Sequence, residues 1–159
     1  MRACTDAGAA AGVVDLASLN LVNAAIAAGG DTSLDWLVVH VAPDYATLAI
    51  VRNKELIFFR NRQLETEADL ADVVHQTAMY HEDRLGGGRF GRAVLSGAAN
   101  RGAETGERLR RALEERLETK VETLDFRGTA AMVDRLSAGP DLLDALAPAV
   151  GVILRERVA

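Results

Sequence analysis

Cysteine is almost missing from this chain: Cys4 is the only one in 159 residues. A single thiol excludes an intramolecular disulfide framework and any zinc site that needs two or more thiolates. A reducing compartment is compatible with that usage. Lysine is nearly as scarce, with Lys54 and Lys120 the only two. Arginine carries most of the positive charge. Together with abundant alanine, this reads as a genome-wide codon bias rather than a phosphate-binding surface. Aromatic residues make up 4% of the chain, so the core has to be built from Leu, Val, Ile and Ala. No apolar run approaches the roughly 18–20 residues of a membrane span. The stretch 16–28 is too short, and Asn20 and Asn23 interrupt it. No basic, signal-like region precedes it. The expectation is a soluble, cytoplasmic chain without direct membrane insertion.

What is present is ordinary globular composition, 49% hydrophobic and 26% charged, which excludes a disordered chain. The length suits one domain or a piece of a larger one. The formal net charge of −5 argues against a nucleic-acid partner, which needs a basic face.

Periodicity divides the chain clearly. An Ala-rich first helix spans residues 2–11, and Gly12 ends it. Val13–Leu16 reads as a short strand. Leu16, Leu19, Leu21, Val22, Ala25 and Ile26 recur at helical spacing, with Ser18 as expected N-cap and Gly29-Gly30 as the stop. Three strands follow at 34–42, 45–51 and 55–62. Pro43-Asp44 joins the first two, and Asn53-Lys54 joins the last two in a tight turn. Alternation along this meander puts Leu37, Val39, Leu48, Ile50, Ile57 and Phe59 on one face, and Val38, Ala49 and Phe58 on the other.

A helix then begins at Thr66 with Asp69 in a capping-box arrangement. It shows an apolar face through Leu70, Val73, Val74, Thr77, Ala78 and Leu85, and ends at Gly86-Gly87-Gly88. A strand at 92–97, a charged helix near 102–117, a short strand at 121–124 and a final apolar helix near 142–157 complete the chain. This order predicts an α/β fold with a ribonuclease-H-like mixed five-stranded sheet. Three strands form the antiparallel meander, and two run parallel to its first strand.

Several stretches carry a family resemblance. The hairpin His40-Val41-Ala42-Pro43-Asp44-Tyr45-Ala46-Thr47 falls where the actin, sugar-kinase and heat-shock-chaperone superfamily has a phosphate-binding Asp-x-Gly-x-Gly-Thr-Thr-x hairpin. Leu95-Ser96-Gly97-Ala98-Ala99-Asn100 falls where it has an adenosine-facing Leu-x-Gly-Gly-x turn. The leader from Ala10 to Leu21, the strand-turn-strand from Leu48 to Arg60 and the closing Gly151-Val152-Ile153-Leu154-Arg155 resemble the PilM/GspL-like members of that superfamily. The resemblance implies the second lobe only. Residues 1–30 would be a helix-strand-helix leader from the lobe crossover, and 31–159 the actin-like second-lobe domain.

The resemblance also implies a vestigial nucleotide site at His40, Ala42, Asp44, Gly97 and Ala98. His40 stands where the family has an acid, and Ala42 and Asp44 stand where it has glycines. Those glycines let backbone N–H groups reach phosphate without an intervening Cβ, and an Asp there repels phosphate as well. Gly97 persists, but Ala98 replaces the second glycine. No cofactor, no metal and no catalytic residue are therefore expected.

The remaining candidate chemistry reads as structural. His75 and His81 are six apart, on different helix faces, unlike the i, i+4 pairs of zinc sites. His81-Glu82-Asp83 reads as a solvated helix end. Ser96-Gly97 lacks the surroundings of a nucleophile elbow. Gly86-Gly87-Gly88 lacks the Lys-Ser/Thr of a phosphate loop and reads as a flexible connector. The alternation of Arg108, Arg110, Arg111 and Arg116 with Glu107, Glu114, Glu115 and Glu118 reads as an ion-paired helix face. Asp141 and Asp144 read as first-turn residues that complement a helix dipole.

The function implied is a non-catalytic scaffold of type IV pilus assembly or type II secretion, at the cytoplasmic face of the inner membrane through its partners. The alternative is part of an actin-like ATP-binding protein or ATPase whose first lobe completes the nucleotide site. An unrelated ribonuclease-H-like dimerisation module is a third reading, and a ribonuclease proper lacks clustered carboxylates on the first strand. A leader whose apolar helix has no cover predicts a homodimer through residues 13–28.

Overall fold

The computed structural model describes residues 2–10, 15–30, 33–126 and 139–156. In chain order the elements are α1 (Arg2–Asp6), α2 (Ala17–Ala27), β1 (Trp36–Val41), β2 (Tyr45–Arg52), β3 (Glu55–Gln63), α3 (Glu67–Leu85), β4 (Arg92–Ser96), a single 3-10 turn (Ala98–Arg101), α4 (Ala103–Leu117), β5 (Val121–Thr123) and α5 (Pro140–Glu156). The five strands form one sheet in the order β3-β2-β1-β4-β5. β1, β2 and β3 pair antiparallel, while β4 runs parallel to β1 and β5 parallel to β4. This is the mixed sheet that the order of elements implies. β1 and β2 are buried almost throughout, because helices cover both faces of the sheet.

One core lies under α3 and α4 and gathers Leu37, Val39, Leu48, Ile50, Leu70, Val74, Leu95 and Leu113. The other lies under α2 and α5 and gathers Leu21, Val22, Trp36, Val38, Ala49, Val94 and Phe126. The meander turn is built as its sequence requires, with Asn53 and Lys54 at φ +52° and +68°, the positive values of a two-residue hairpin loop. At the start of α3 the Asp69 carboxylate accepts the Thr66 and Glu65 backbone N–H groups at 2.6 and 2.9 Å. Those bonds hold Asp69 below the usual carboxylate range. Gly86 closes the helix in the left-handed conformation, at φ +63°.

The two phenylalanines of β3 are exchanged relative to strict alternation. Phe58 joins the core under α3, and Phe59 packs on the opposite face. Ile50 faces Phe58 whereas Val51 faces Leu56, so Ile57 is an extra residue. This β-bulge flips everything beyond it by one position. α2 is capped by Leu16, with Ser18 inside the helix, so Ser18 is not the N-cap. Of the strand expected at Val13–Leu16, residues 13 and 14 lie outside the described residues, and Asp15 and Leu16 are not in a strand.

α2 is packed within its own chain. Leu21 and Val22 are buried, Leu19 and Ile26 are half-buried, and α5 lies against the helix. Gly151 on α5 comes so close that a Cβ there would sit 1.7 Å from the Asn20 carbonyl oxygen. The apolar face of α2 is thus covered by α5 and the sheet of its own chain.

Candidate functional site

The C-terminal ends of β1 and β4 form the main candidate site. His40 pairs across the sheet with Thr47 and with Ser96. The β1–β2 turn closes through the Ala42 N–H, which donates to the Tyr45 carbonyl at 2.9 Å. Gly97 follows β4 at φ +83°, and a Cβ there would lie 2.1 Å from the Val41 carbonyl oxygen and 3.1 Å from the His40 ring. Both the conformation and the close approach demand glycine. The turn Ala98–Arg101 then brings Arg101 back over the hairpin, where its guanidinium donates to the Ala42 and Pro43 carbonyls at 2.7 and 3.1 Å.

Asp144 of α5 completes the arrangement. Its carboxylate accepts the Ser96 hydroxyl at 3.0 Å and the Ala99 backbone N–H at 3.1 Å. The sequence position alone suggests a helix-dipole role for Asp144; its contacts instead tie α5 to β4 and to the turn after it. A cavity of about 620 Å³ remains between these groups, lined by His40, Ala42, Pro43, Gly97, Arg101 and Asp144. Burial holds the His40 imidazole below its ordinary pKa, partly opposed by the Asp144 charge, so it is neutral at pH 7. Its Nδ1 has no partner among the described residues, and its ring stands edge-on to Tyr45 at 6.1 Å.

Of the five sequence-derived positions, His40, Ala42 and Gly97 therefore share one cavity. Ala98 is buried and faces a neighbouring cavity of about 420 Å³ with Leu95, Gly106 and Thr123. Asp44 is exposed at the hairpin tip and does not line either cavity. The residues do not fit a nucleotide phosphate. The Ala99 N–H, a natural anion donor at a turn, is already taken by a carboxylate. The Arg101 guanidinium is turned onto carbonyl oxygens, and a second negative charge beside Asp144 would be repelled.

A second polar cluster lies at the opposite end of β1. The Arg52 side chain grips Asp35 through Nε at 2.8 Å and its terminal nitrogen at 2.6 Å, and also donates to the Leu85 carbonyl at 3.0 Å. The His81 Nε2 meets the same carboxylate at 2.5 Å. Arg52 chiefly, and His81 less, lower the Asp35 pKa against its partial burial. His81 is fully buried and stacks on Phe90 at 4.4 Å between ring centres. It is not part of a solvated helix end. A Cβ on Gly87 would lie 2.0 Å from the imidazole, so this glycine makes room for a ring as well as serving as a connector. The signal was legible: Leu70, Val74, Thr77 and His81 continue one helical stripe. Among the described residues no three metal-ligating side chains converge. His75 is exposed while His81 is buried.

The charged face of α4 is ion-paired as its sequence implies. Glu107 bonds Arg110 at 2.8 Å and Arg111 at 2.7 Å, and Arg110 also reaches Glu114 at 2.5 Å. Arg110 and Arg111 pull the Glu107 pKa down to about 2. No described helix is long and apolar enough to cross a membrane.

No known sequence family and no curated protein matches the chain. Solved structures do. A chain of the PilM-PilN type IV pilus biogenesis complex superposes with a TM-score of 0.72 at 15% identity, covering 96% of this chain and 55% of that one. The fold is PilM-like. The chain thus spans about half the length of the PilM-PilN chain it matches. A protein of actin-like ATPase fold and unknown function from Bacteroides thetaiotaomicron overlaps less, with a TM-score of 0.49 at 14% identity over 67% of this chain and 38% of that one. In the PilM-like fold described here, α2 and α5 share one side of the sheet and α3 and α4 the other, while the His40–Asp144 cavity opens at the strand ends.

Proposed function

We propose that the chain is a non-catalytic scaffold component of type IV pilus assembly or type II secretion, binding other assembly proteins at the cytoplasmic face of the inner membrane. The observation that carries this reading is the superposition on a chain of the PilM-PilN complex over 96% of the sequence. The chemistry of the strand-end cavity supports the non-catalytic part. An internal carboxylate, Asp144, sits on the turn N–H, and the hairpin carries Ala42 and Asp44 in place of glycine. Residues 31–159 serve as the second-lobe domain in this reading, with the leader 1–30 docked through α2.

The test is complex formation with a PilN-type protein encoded in the same genome, followed by size-exclusion chromatography with light scattering. A defined complex at micromolar concentrations is expected. Two separate peaks at about 100 μM, where even an association of roughly −5.5 kcal/mol would register, would refute the reading. Homodimerisation through residues 13–28 is a separate expectation. Within that segment Leu16 is 58% exposed, and Leu16→Glu should weaken such a dimer in the same instrument.

A further inference from the structure

β3 is the long open edge of the sheet. Among the described residues it pairs with β2 alone, and the opposite edge is the three-residue β5. The bulge at Ile57 lies near the turn, so Phe58–Gln63 continue as a regular ladder against Tyr45–Ile50. The strand holds no proline and no lysine, residues that commonly blunt such an edge. The Leu64 N–H donates to the Asp44 carbonyl at 2.9 Å. Counting back in alternation from that bond, Phe59, Asn61 and Gln63 turn their N–H and C=O groups outward.

The side chains select what can add there. Phe58, Arg60 and Arg62 share the face under α3, opposite Ile50, Leu48 and Ala46. Phe58 packs on Tyr80 at 5.1 Å between ring centres. Within the sheet, Arg52 and Arg92 are ion-paired with Asp35 and Glu122, whereas Arg60 and Arg62 make no ion pair among the described residues. Arg60 is not turned out to solvent as a guard against aggregation would be. Its guanidinium lies over Phe58 at 5.7 Å, and its buried Nη1 has no partner among the described residues. Asp69, at the helix start that follows, is already engaged by the Thr66 and Glu65 N–H groups. We propose that this edge takes an extended acidic segment of another protein. The segment adds antiparallel to β3, with carboxylates at two alternate positions opposite Arg62 and Arg60 and an apolar side chain opposite Phe58. With backbone bonds to Phe59, Asn61 and Gln63, the arginines fall in the pairs whose side chains stand closest. Main-chain bonds supply the affinity and the alternate side chains the specificity. Within 58–63, a second copy of β3 paired in the same way would set Arg60 against another Phe58, Arg60 or Arg62 and never against a carboxylate. A second copy is therefore the poorer occupant. The inference rests on β3 and not on the assembly reading.

Amide chemical-shift mapping of the full chain by NMR tests it, with the capped peptide Thr-Glu-Thr-Glu-Thr-Val-Thr as probe. At about millimolar peptide the amides of residues 58–63 should shift and saturate. Arg60→Glu combined with Arg62→Glu should weaken that peptide by roughly tenfold and prefer its Lys-for-Glu version. Asn61→Pro costs the sheet no ladder bond at an outward position, removes an outward N–H and should abolish binding. Circular dichroism checks the folding of each variant. If the charge-reversed chain does not fold, Asn61→Pro and a peptide with proline for the threonine between its glutamates still decide. No shift at that concentration overturns the proposal. So does binding indifferent to both prolines, which is charge attraction without strand addition. Concentration-dependent shifts in 58–63 without peptide would put a second copy on the edge and overturn the acidic occupant.

Discussion

Replacing Asp35 by alanine removes the carboxylate that joins β1, β2 and the end of α3. Three consequences can be weighed. The His81 Nε2, on a side chain 1% exposed, loses its partner with no water to replace it, which costs about 1–3 kcal/mol. Arg52, 39% exposed, rehydrates and keeps its bond to the Leu85 carbonyl, so its share is about 0–1 kcal/mol. The loop bond from the Gly91 N–H to the Asp35 carbonyl is backbone and survives. The expected loss is therefore roughly 1–4 kcal/mol. In urea denaturation this is a midpoint shift of about 0.5–2 M at unchanged slope. The pH dependence has a definite sign. The folded-state pKa of Asp35 is depressed, first by Arg52. Its contribution is therefore complete above about pH 4, near the unfolded carboxylate value, and is lost as pH falls through the lower folded value. Wild type and Asp35→Asn should converge in stability as pH falls through that depressed folded value. A loss below about 0.5 kcal/mol for Asp35→Ala, which is the size of an ordinary surface change, would show that the cluster does not hold α3 to the sheet.

The other predictions test the remaining contacts. Gly97→Ala forces a Cβ onto the Val41 carbonyl and should cost about 2 kcal/mol or more in the same assay. Gly151→Ala should separate α2 from α5, costing about 1–3 kcal/mol and raising hydrogen exchange in residues 17–27. Leu48→Ala, at a fully buried site, should cost about 2–5 kcal/mol. His40 should titrate below about 6.5 by NMR. Asp144→Asn should lower it further, since the Asp144 charge is what opposes desolvation there.

The layers of the fold were legible because local signals agreed with one another. Asn53-Lys54 dictated a tight turn, Thr66 and Asp69 a helix start, and the almost continuously apolar run 34–42 a strand covered on both faces. The Phe58/Phe59 exchange was not legible, because a bulge is a register event between two strands and leaves no mark on a single strand's alternation. The site was legible in part. Gly97 marked a turn, and His40 and Ala42 met it because parallel pairing brings the ends of β1 and β4 together. Asp144 lies 48 residues beyond Ser96, and nothing local distinguishes a carboxylate that caps another element's turn from one that serves its own helix. Asp35, Arg52 and His81 are likewise far apart in sequence. Only the buried stripe reaching His81 hinted that this residue, unlike the exposed Glu82 and Asp83 beside it, turns into the core.

Isothermal titration of the chain with Mg-ATP tests the central claim most directly, that the strand-end cavity closed by Asp144 and Arg101 has no place for a nucleotide. The account predicts no saturable heat up to millimolar nucleotide. Saturable binding tighter than roughly 100 μM, about −5.5 kcal/mol, would contradict it, because a carboxylate on the Ala99 N–H and a phosphate cannot occupy that turn together.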